Sequence, residues 1–239
     1  EMTTKYLTDV CYASIDNIVK IPNAVDTDRF NPFVAGTGIR TSLGIPEHVP
    51  VIANVGRYTP EKGYPFFLET AGIIAKQFPE SRFLIVGRIP DPNPLAGLIK
   101  KLEIEKNVIF TGPRRDIPEI LRAVDVFLFT SIWGEGFGIS LIEAMACGKP
   151  IVASNVGPTR EIIEDQVTGL LPTPKVWVSG TDNLNVKDLA DACMFLLRNP
   201  EIGKQLGSEA RCLAVKQFSV PAWIRSIEDT YCSMIKAKK

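Results

Sequence analysis

The sequence predicts an α/β fold: a parallel sheet with helices on both faces, followed by a helical C-terminal third. Five short apolar runs support this, at 51–56 (VIANVG), 82–87 (RFLIVG), 107–112 (NVIFTG), 124–131 (VDVFLFTS) and 150–155 (PIVASN). They are continuously apolar rather than alternating, as strands covered on both sides are. Stretches of helical periodicity separate them, which implies βαβ units and parallel pairing.

The elements follow in chain order. A helix is expected over 3–14. "NIVKIPNAVDTDRFNP" then reads as a strand and a turn rich in Asn, Asp and Pro, with a linker or boundary near 20–45. Helices are expected near 64–78, 94–104, 116–123, 138–147 and 158–164. Residues 173–185 carry no evident element and read as a surface excursion. Helices over 186–198, 201–217 and 221–236 complete the chain, with Pro200 and Pro221 marking two starts. Residues 1–20 are accordingly assigned to a linker helix or the remnant of a preceding domain, and 21–236 to one α/β domain. The Glu1-Met2 start suggests a piece cut from a longer protein.

Composition narrows the function. A chain of 239 residues with 45% hydrophobic and 23% charged residues suits a globular protein with a sizeable core. The 27 basic and 27 acidic residues cancel, which argues against nucleic acid or an anionic membrane as the main partner. No apolar run approaches the ~18 residues of a membrane span, and no signal peptide is evident. The five cysteines are odd in number, without CxxC spacing, and read as free thiols in a reducing compartment. That places the chain in the cytoplasm or on the cytoplasmic face of a membrane.

The chemistry concentrates in "SIWGEGFGISLIEAMACGKPIVAS", residues 131–154. Gly134, Gly136 and Gly138 crowd a strand-to-helix turn, where open parallel sheets bind ligands. The helix that follows has Leu141, Ile142, Met145 and Ala146 as its buried face, and Gly148 and Pro150 stop it. Its start presents free N–H groups from Phe137 to Ser140 and roughly half a positive charge, an anion site. The Ser140 hydroxyl adds a donor. The G-x-G-x-x-G dinucleotide fingerprint is not met, because Ile139 stands at the third glycine. Glu135 would moreover repel a pyrophosphate, whereas a carboxylate suits vicinal hydroxyls through charge-assisted bonds.

Glu143 offers a second hydroxyl acceptor, roughly 12 Å further along if the segment were all helical. Taken alone, it is also explained as a solvated helix residue. Glycosidase carboxyls stand about 5–5.5 or 6.5–9.5 Å apart, which these two acids fit poorly. A sugar, a diphosphate and a ribose in line fit better.

"NVGRYTPEKG" supplies cations at another strand end: Arg57 and Lys62, after Gly56. This is not a P-loop. Arginine offers a planar fork to phosphate and lysine a point charge. Gly87, Gly112 and Arg114 lie at strand ends where a base and ribose would rest. Glu161, in a helix's first turn, is explained by dipole compensation. His48 is expected on a solvent-facing loop, which leaves no Ser-His-Asp set, and nothing has metal-ligand spacing.

E-G-F-G-I-S-L-I-E at 135–143, followed by A-M-A-C-G-K-P, resembles the E-x7-E signature of the family 4 retaining glycosyltransferases. The stretch G-R-x-x-x-x-K-G at 56–63 is similar to their cation motif, and the likeness extends over roughly 16–236. The resemblance implies the GT-B architecture of two Rossmann-like domains facing across a cleft, with 21–236 as the C-terminal, nucleotide-sugar-binding one. It implies that Glu135 contacts sugar hydroxyls and Glu143 the ribose diol. The backbone from Gly136 through Phe137, Gly138 and Ile139 to Ser140 would hold the diphosphate, with Arg57 and Lys62 supporting the leaving group. No metal or other cofactor is implied.

The acceptor pocket would belong to an N-terminal domain, in the same or another chain, and peripheral membrane association through that half is compatible with the resemblance. "IPNAVDTDRFNP" would be the hinge, with Asn23-Ala24 where Asn-Gly is usual. Trp223, Ile227 and Tyr231, on one helical face, would return to cover the N-terminal domain. Three rivals remain open. An NAD-dependent oxidoreductase would prefer NADH to UDP or GDP. A nucleotide-sugar epimerase of the same fold would need no acceptor. A non-catalytic interaction module would tolerate loss of Glu135 or Arg57.

Overall fold

A computed structural model of the chain describes residues 2–12, 14–33, 38–132, 136–172 and 184–237. Among them are five parallel strands: β1 (Val51–Val55), β2 (Arg82–Val86), β3 (Val108–Gly112), β4 (Val126–Phe129) and β5 (Ile151–Ala153). They lie in the order β3-β2-β1-β4-β5. Each falls within an apolar run read from the sequence.

The described helices are α1 (Met2–Asp9), α2 (Ile39–Ser42), α3 (Tyr64–Gln77), α4 (Ala96–Leu102), α5 (Ile117–Arg122), α6 (Ile139–Ala146), α7 (Thr159–Ile162), α8 (Val186–Arg198), α9 (Pro200–Gln217) and α10 (Val220–Ala237).

The strand order explains which face each helix covers. The chain runs outward from β1 to β2 and β3, then returns to β4 beside β1 and continues to β5. Right-handed crossovers in opposite directions put their helices on opposite faces. α3 and α4 thus pack with α8 on one face, around Phe67, Leu68, Ile99 and Leu189. α5, α6, α7 and part of α9 cover the other, around Ile120, Leu141, Ile162 and Ala210. β1 pairs with both β2 and β4 and all five of its residues are buried, with Val51, Ala53 and Val55 in one core and Ile52 in the other. Each such Val or Ile contributes about 1.5–3 kcal/mol through burial.

Between β1 and β4 the connections reverse direction. A reversal of this kind leaves a crevice at the carboxyl ends of the strands, the usual place for a ligand in such sheets.

Three features differ from expectation. No strand forms in 17–25. Pro22 has no N–H to donate, and Val25 alone makes a bridge, its N–H donating to the Phe218 carbonyl at 2.7 Å. Helix α2 was not anticipated; it carries the buried Arg40, which donates to the carbonyls of Ala123, Glu47 and Val49 and to the Asp125 carboxylate at 2.9 Å. Glu161 is ion-paired with Lys20 rather than merely facing a helix start. Of the surface excursion, residues 173–183 lie outside the described residues. Trp223 and Tyr231 of α10 are exposed, and Ile227 is half-buried.

Candidate functional site

The loops after β1 and β4 flank the crevice and are stitched together. The Asn54 side chain donates from Nδ2 to Thr130 Oγ1 at 3.1 Å, and Thr130 Oγ1 donates to the Lys62 carbonyl at 3.0 Å. The Ile132 N–H donates to the Glu61 carbonyl at 2.9 Å. Pro60–Lys62 form one 3-10 turn, and Gly63 starts α3 with φ +62°. A side chain at 63 would fail twice: L residues avoid that conformation, and its Cβ would lie 2.0 Å from the Thr130 carbonyl oxygen.

This framework places Lys62. Its stem passes over Gly56, where a Cβ would come within 3.4 Å of Lys62 Cε, and its ammonium sits 5.6 Å from the centroid of the Phe129 ring. The far edge of that ring meets the start of α6: a Cβ on Gly138 would lie 3.3 Å from Phe129 Cζ. A cation and a helix N-terminus therefore converge across one buried aromatic ring. Arg57, on the same loop, is exposed.

The start of α6 is open. Leu141 and Ile142 N–H groups bond to the Gly138 carbonyl, but among the described residues no carbonyl accepts from Ile139 or Ser140, and no side chain caps the helix. Ser140 Oγ is buried without a partner among the described residues. The Phe137 ring packs edge-on against Phe218, 5.8 Å between centroids, so this residue offers its backbone to a ligand. Ile139 is 51% exposed. Leu141, Ile142, Met145 and Ala146 are fully buried, which anchors the helix and aims its start at the crevice.

Glu143 stands half-buried on α6. Burial pushes its carboxyl up to about 7, against the opposing pull of the Arg29 charge. Among the described residues no donor bonds to its carboxylate, although its carbonyl accepts the Cys147 N–H at 3.0 Å. Such a partly buried carboxylate is suited to accept ligand hydroxyl donors.

Gly87 and Gly112 end β2 and β3, with the Gly87 N–H donating to the Gly112 carbonyl at 3.0 Å. The β1 and β2 ends touch, since a Cβ on Gly87 would stand 1.9 Å from the Gly56 carbonyl oxygen. Arg114 is half-buried and forked onto Asp116, its Nε donating to Oδ1 at 2.8 Å, which holds the Asp116 carboxyl below its ordinary range. Its guanidinium is thus shared with an internal partner. Glu135 and Gly134 lie outside the described residues, while Gly136 is exposed beside them. His48 is exposed in the turn before β1. The sequence reading missed Asn54, Thr130 and Arg29. The first two carried a signal, as polar residues inside apolar runs.

An open helix start and a cation set against it thus lie at the reversal point of the parallel sheet in this α/β domain. The chain belongs to the group 1 glycosyl transferases, whose family model matches residues 37–212. It is 28% identical over 233 residues to a UDP-Gal:alpha-D-GlcNAc-diphosphoundecaprenol alpha-1,3-galactosyltransferase of Escherichia coli, covering 95% of this chain and 57% of that protein. Among solved structures, HepE of Anabaena in complex with UDP and glucose superposes with a TM-score of 0.77 at 27% identity, over 89% of this chain and 56% of that one. The C-terminal domain of a group 1 family glycosyl transferase from Francisella tularensis superposes with a TM-score of 0.68 at 25% identity, over 82% of this chain and 99% of that domain.

The chain spans about half the length of the curated relatives it matches, 57% and 52% of the first two. The parallel sheet with helices around it matches GT-B glycosyltransferase neighbours. No described helix is long and apolar enough to cross a membrane.

Proposed function

We propose that the chain is the donor-binding half of a retaining glycosyltransferase and holds a nucleoside-diphosphate sugar in the crevice between the loops after β1 and β4. The observation that carries this reading is the Phe129 ring, with the Lys62 ammonium on one side and the start of α6 at its edge. Two sources of positive potential across an apolar ring suit a diphosphate. The UDP in the Anabaena structure and the UDP-Gal in the name of the Escherichia coli relative favour the same ligand class.

In this reading the diphosphate lies against the N–H groups of Ile139 and Ser140, with Lys62 and Arg57 over its oxygens. As the bond to the sugar breaks, negative charge collects on the departing nucleoside diphosphate, and these preorganised groups stabilise it. Glu143 accepts the ribose diol and Glu135 the sugar hydroxyls. The strand ends at Gly87 and Gly112, with Arg114, border the base. Residues 21–236 form this domain, 1–20 lead into it, and the acceptor is presented by an N-terminal half in the cytoplasm or at its membrane face. Transfer keeps the anomeric configuration by front-face displacement, since the sequence offers no evident covalent nucleophile.

A thermal-shift panel of UDP, GDP, ADP, their sugars and NADH tests this. One nucleoside diphosphate is expected to stabilise the chain, by about 2.7 kcal/mol at a hundredfold excess over its Kd, and Lys62→Ala to cut that shift to about half or less. The isolated chain is expected to transfer little or no sugar. Stabilisation by NADH alone, or by no nucleotide, would count against the reading.

A further inference from the structure

We propose that Arg29 is a positioning residue for the nucleoside end of the donor, holding the loop after β3 in register with Glu143 on α6. This rests on the reading that the nucleotide lies along α6.

Arg29 comes from a turn remote in sequence from both groups, and that turn is built to present it. Asp26 Oδ1 accepts the N–H groups of Asp28 and Arg29, each at 3.0 Å, and the Phe30 N–H returns to the Asp26 carbonyl at 2.8 Å. The Phe30 side chain is buried and pins the turn to the core. Arg211 of α9 locks it from behind. Its guanidinium donates to the carbonyls of Thr27 at 3.0 Å, Phe30 at 2.6 Å and Ala146 at 2.7 Å. One side chain thereby ties the turn to the last residue of the helix that carries Glu143.

On this footing the Arg29 guanidinium lies 5.3 Å from the Phe30 ring centroid, and Nη2 donates to the Arg115 carbonyl at 2.8 Å. Arg115 belongs to the loop between β3 and α5, which follows Gly112. Of the five N–H donors of a guanidinium, this is the one engaged among the described residues. The same positive charge acts on the Glu143 carboxylate and offsets part of its burial cost.

Arg29 therefore couples the strand-end loop on one side of the nucleoside to the carboxylate on the other. The diphosphate grip, at Lys62 and the start of α6, is made by other groups. The charged and titratable groups facing this place are few. Arg29 faces Glu143 from the turn, and Cys147 lies one helical turn further on. The thiol is in turn faced by Lys149, Arg211 and Glu119.

Calorimetric titration of the 239-residue chain with UDP, GDP and ADP, and separately with inorganic pyrophosphate, from pH 5.5 to 8.5 tests the proposal. Arg29→Gln is expected to weaken the best-bound nucleoside diphosphate about tenfold at pH 7, as loss of a charge-assisted contact does. Pyrophosphate affinity should stay within about twofold, because the phosphate contacts are untouched. Glu143 without its cation should protonate sooner, so the acid midpoint of nucleotide binding should rise by about one pH unit. Arg29→Lys, which keeps the charge, should restore the midpoint.

Equal losses for nucleotide and pyrophosphate, unchanged nucleotide affinity, or a lowered Tm with an unmoved midpoint would each overturn the proposal. Glu143→Gln with the same probes separates the two levels of inference. If it weakens nucleotide binding while Arg29→Gln does not, the positioning role fails and the site stands. If it changes nothing, the site itself is misread.

Discussion

The Gly63 backbone and the Thr130 carbonyl are in such close contact that a Cβ on residue 63 would stand 2.0 Å from the Thr130 oxygen. The loop after β1 is seated on β4 by this contact, and Lys62 is seated with it. Gly63→Ala should cost about 2–4 kcal/mol in urea denaturation and weaken nucleoside diphosphate binding as Lys62 is displaced. Gly97→Ala in α4, where an added Cβ meets nothing within 4 Å, is the control. It should leave binding unchanged and raise stability by up to about 1 kcal/mol.

Lys62 and Arg57 should not be equivalent. Lys62 is half-buried over Phe129, whereas Arg57 is exposed. Lys62→Ala should weaken nucleotide binding by about ten- to hundredfold, and Arg57→Ala by less. The Arg57 contribution should fade first between 0.05 and 0.5 M salt, as screening removes exposed interactions. Titrations of both variants across that range decide it; equal salt dependence would contradict the difference in burial.

Glu143→Gln should make the fold more stable while weakening its ligand. The carboxyl is raised from 4.5 to about 7 by burial. Its folded-state pKa thus exceeds the unfolded one, so stability falls as pH rises through that interval. The variant, neutral throughout, escapes this loss. Its Tm should match the parent at pH 4.5, overtake it between pH 5 and 7, and hold a constant lead above pH 7, of order 1 kcal/mol. Thermal melts across pH provide the check, and a lead already present at pH 4.5 would point to another cause.

At the opposite end of the sheet, Arg40 and Asp125 should matter for stability alone. Arg40 is buried and donates to four carbonyls besides Asp125, and Asp125 also accepts the Val51 N–H at 2.8 Å. Arg40→Ala leaves those acceptors unpaired and should cost about 3 kcal/mol. Nucleotide affinity, measured well below the Tm, should be unchanged.

What the sequence disclosed follows the range of the physics involved. The five strands were legible because burial on both faces demands uninterrupted apolar runs. α6 was legible at both ends because Gly138, Gly148 and Pro150 act locally. The loops that meet at the crevice could be placed because their glycines and cations immediately follow predicted strands. Contacts across long separations were not legible. Val25 finds its backbone partner at Phe218, and Arg29 finds its own at Arg115, only once the sheet has closed. The expected strand near Val25 failed for this reason: its β-rich residues meet no neighbouring strand beyond one bridge. The pull of Arg29 on Glu143 likewise belongs to the folded arrangement, since no spacing pattern joins the two.

The bond from the Val25 amide to the Phe218 carbonyl has a mechanical side. Together with Arg211, which holds Thr27 and Phe30 from α9, it clips the incoming and outgoing segments together. A pull on either segment therefore reaches this shared junction first.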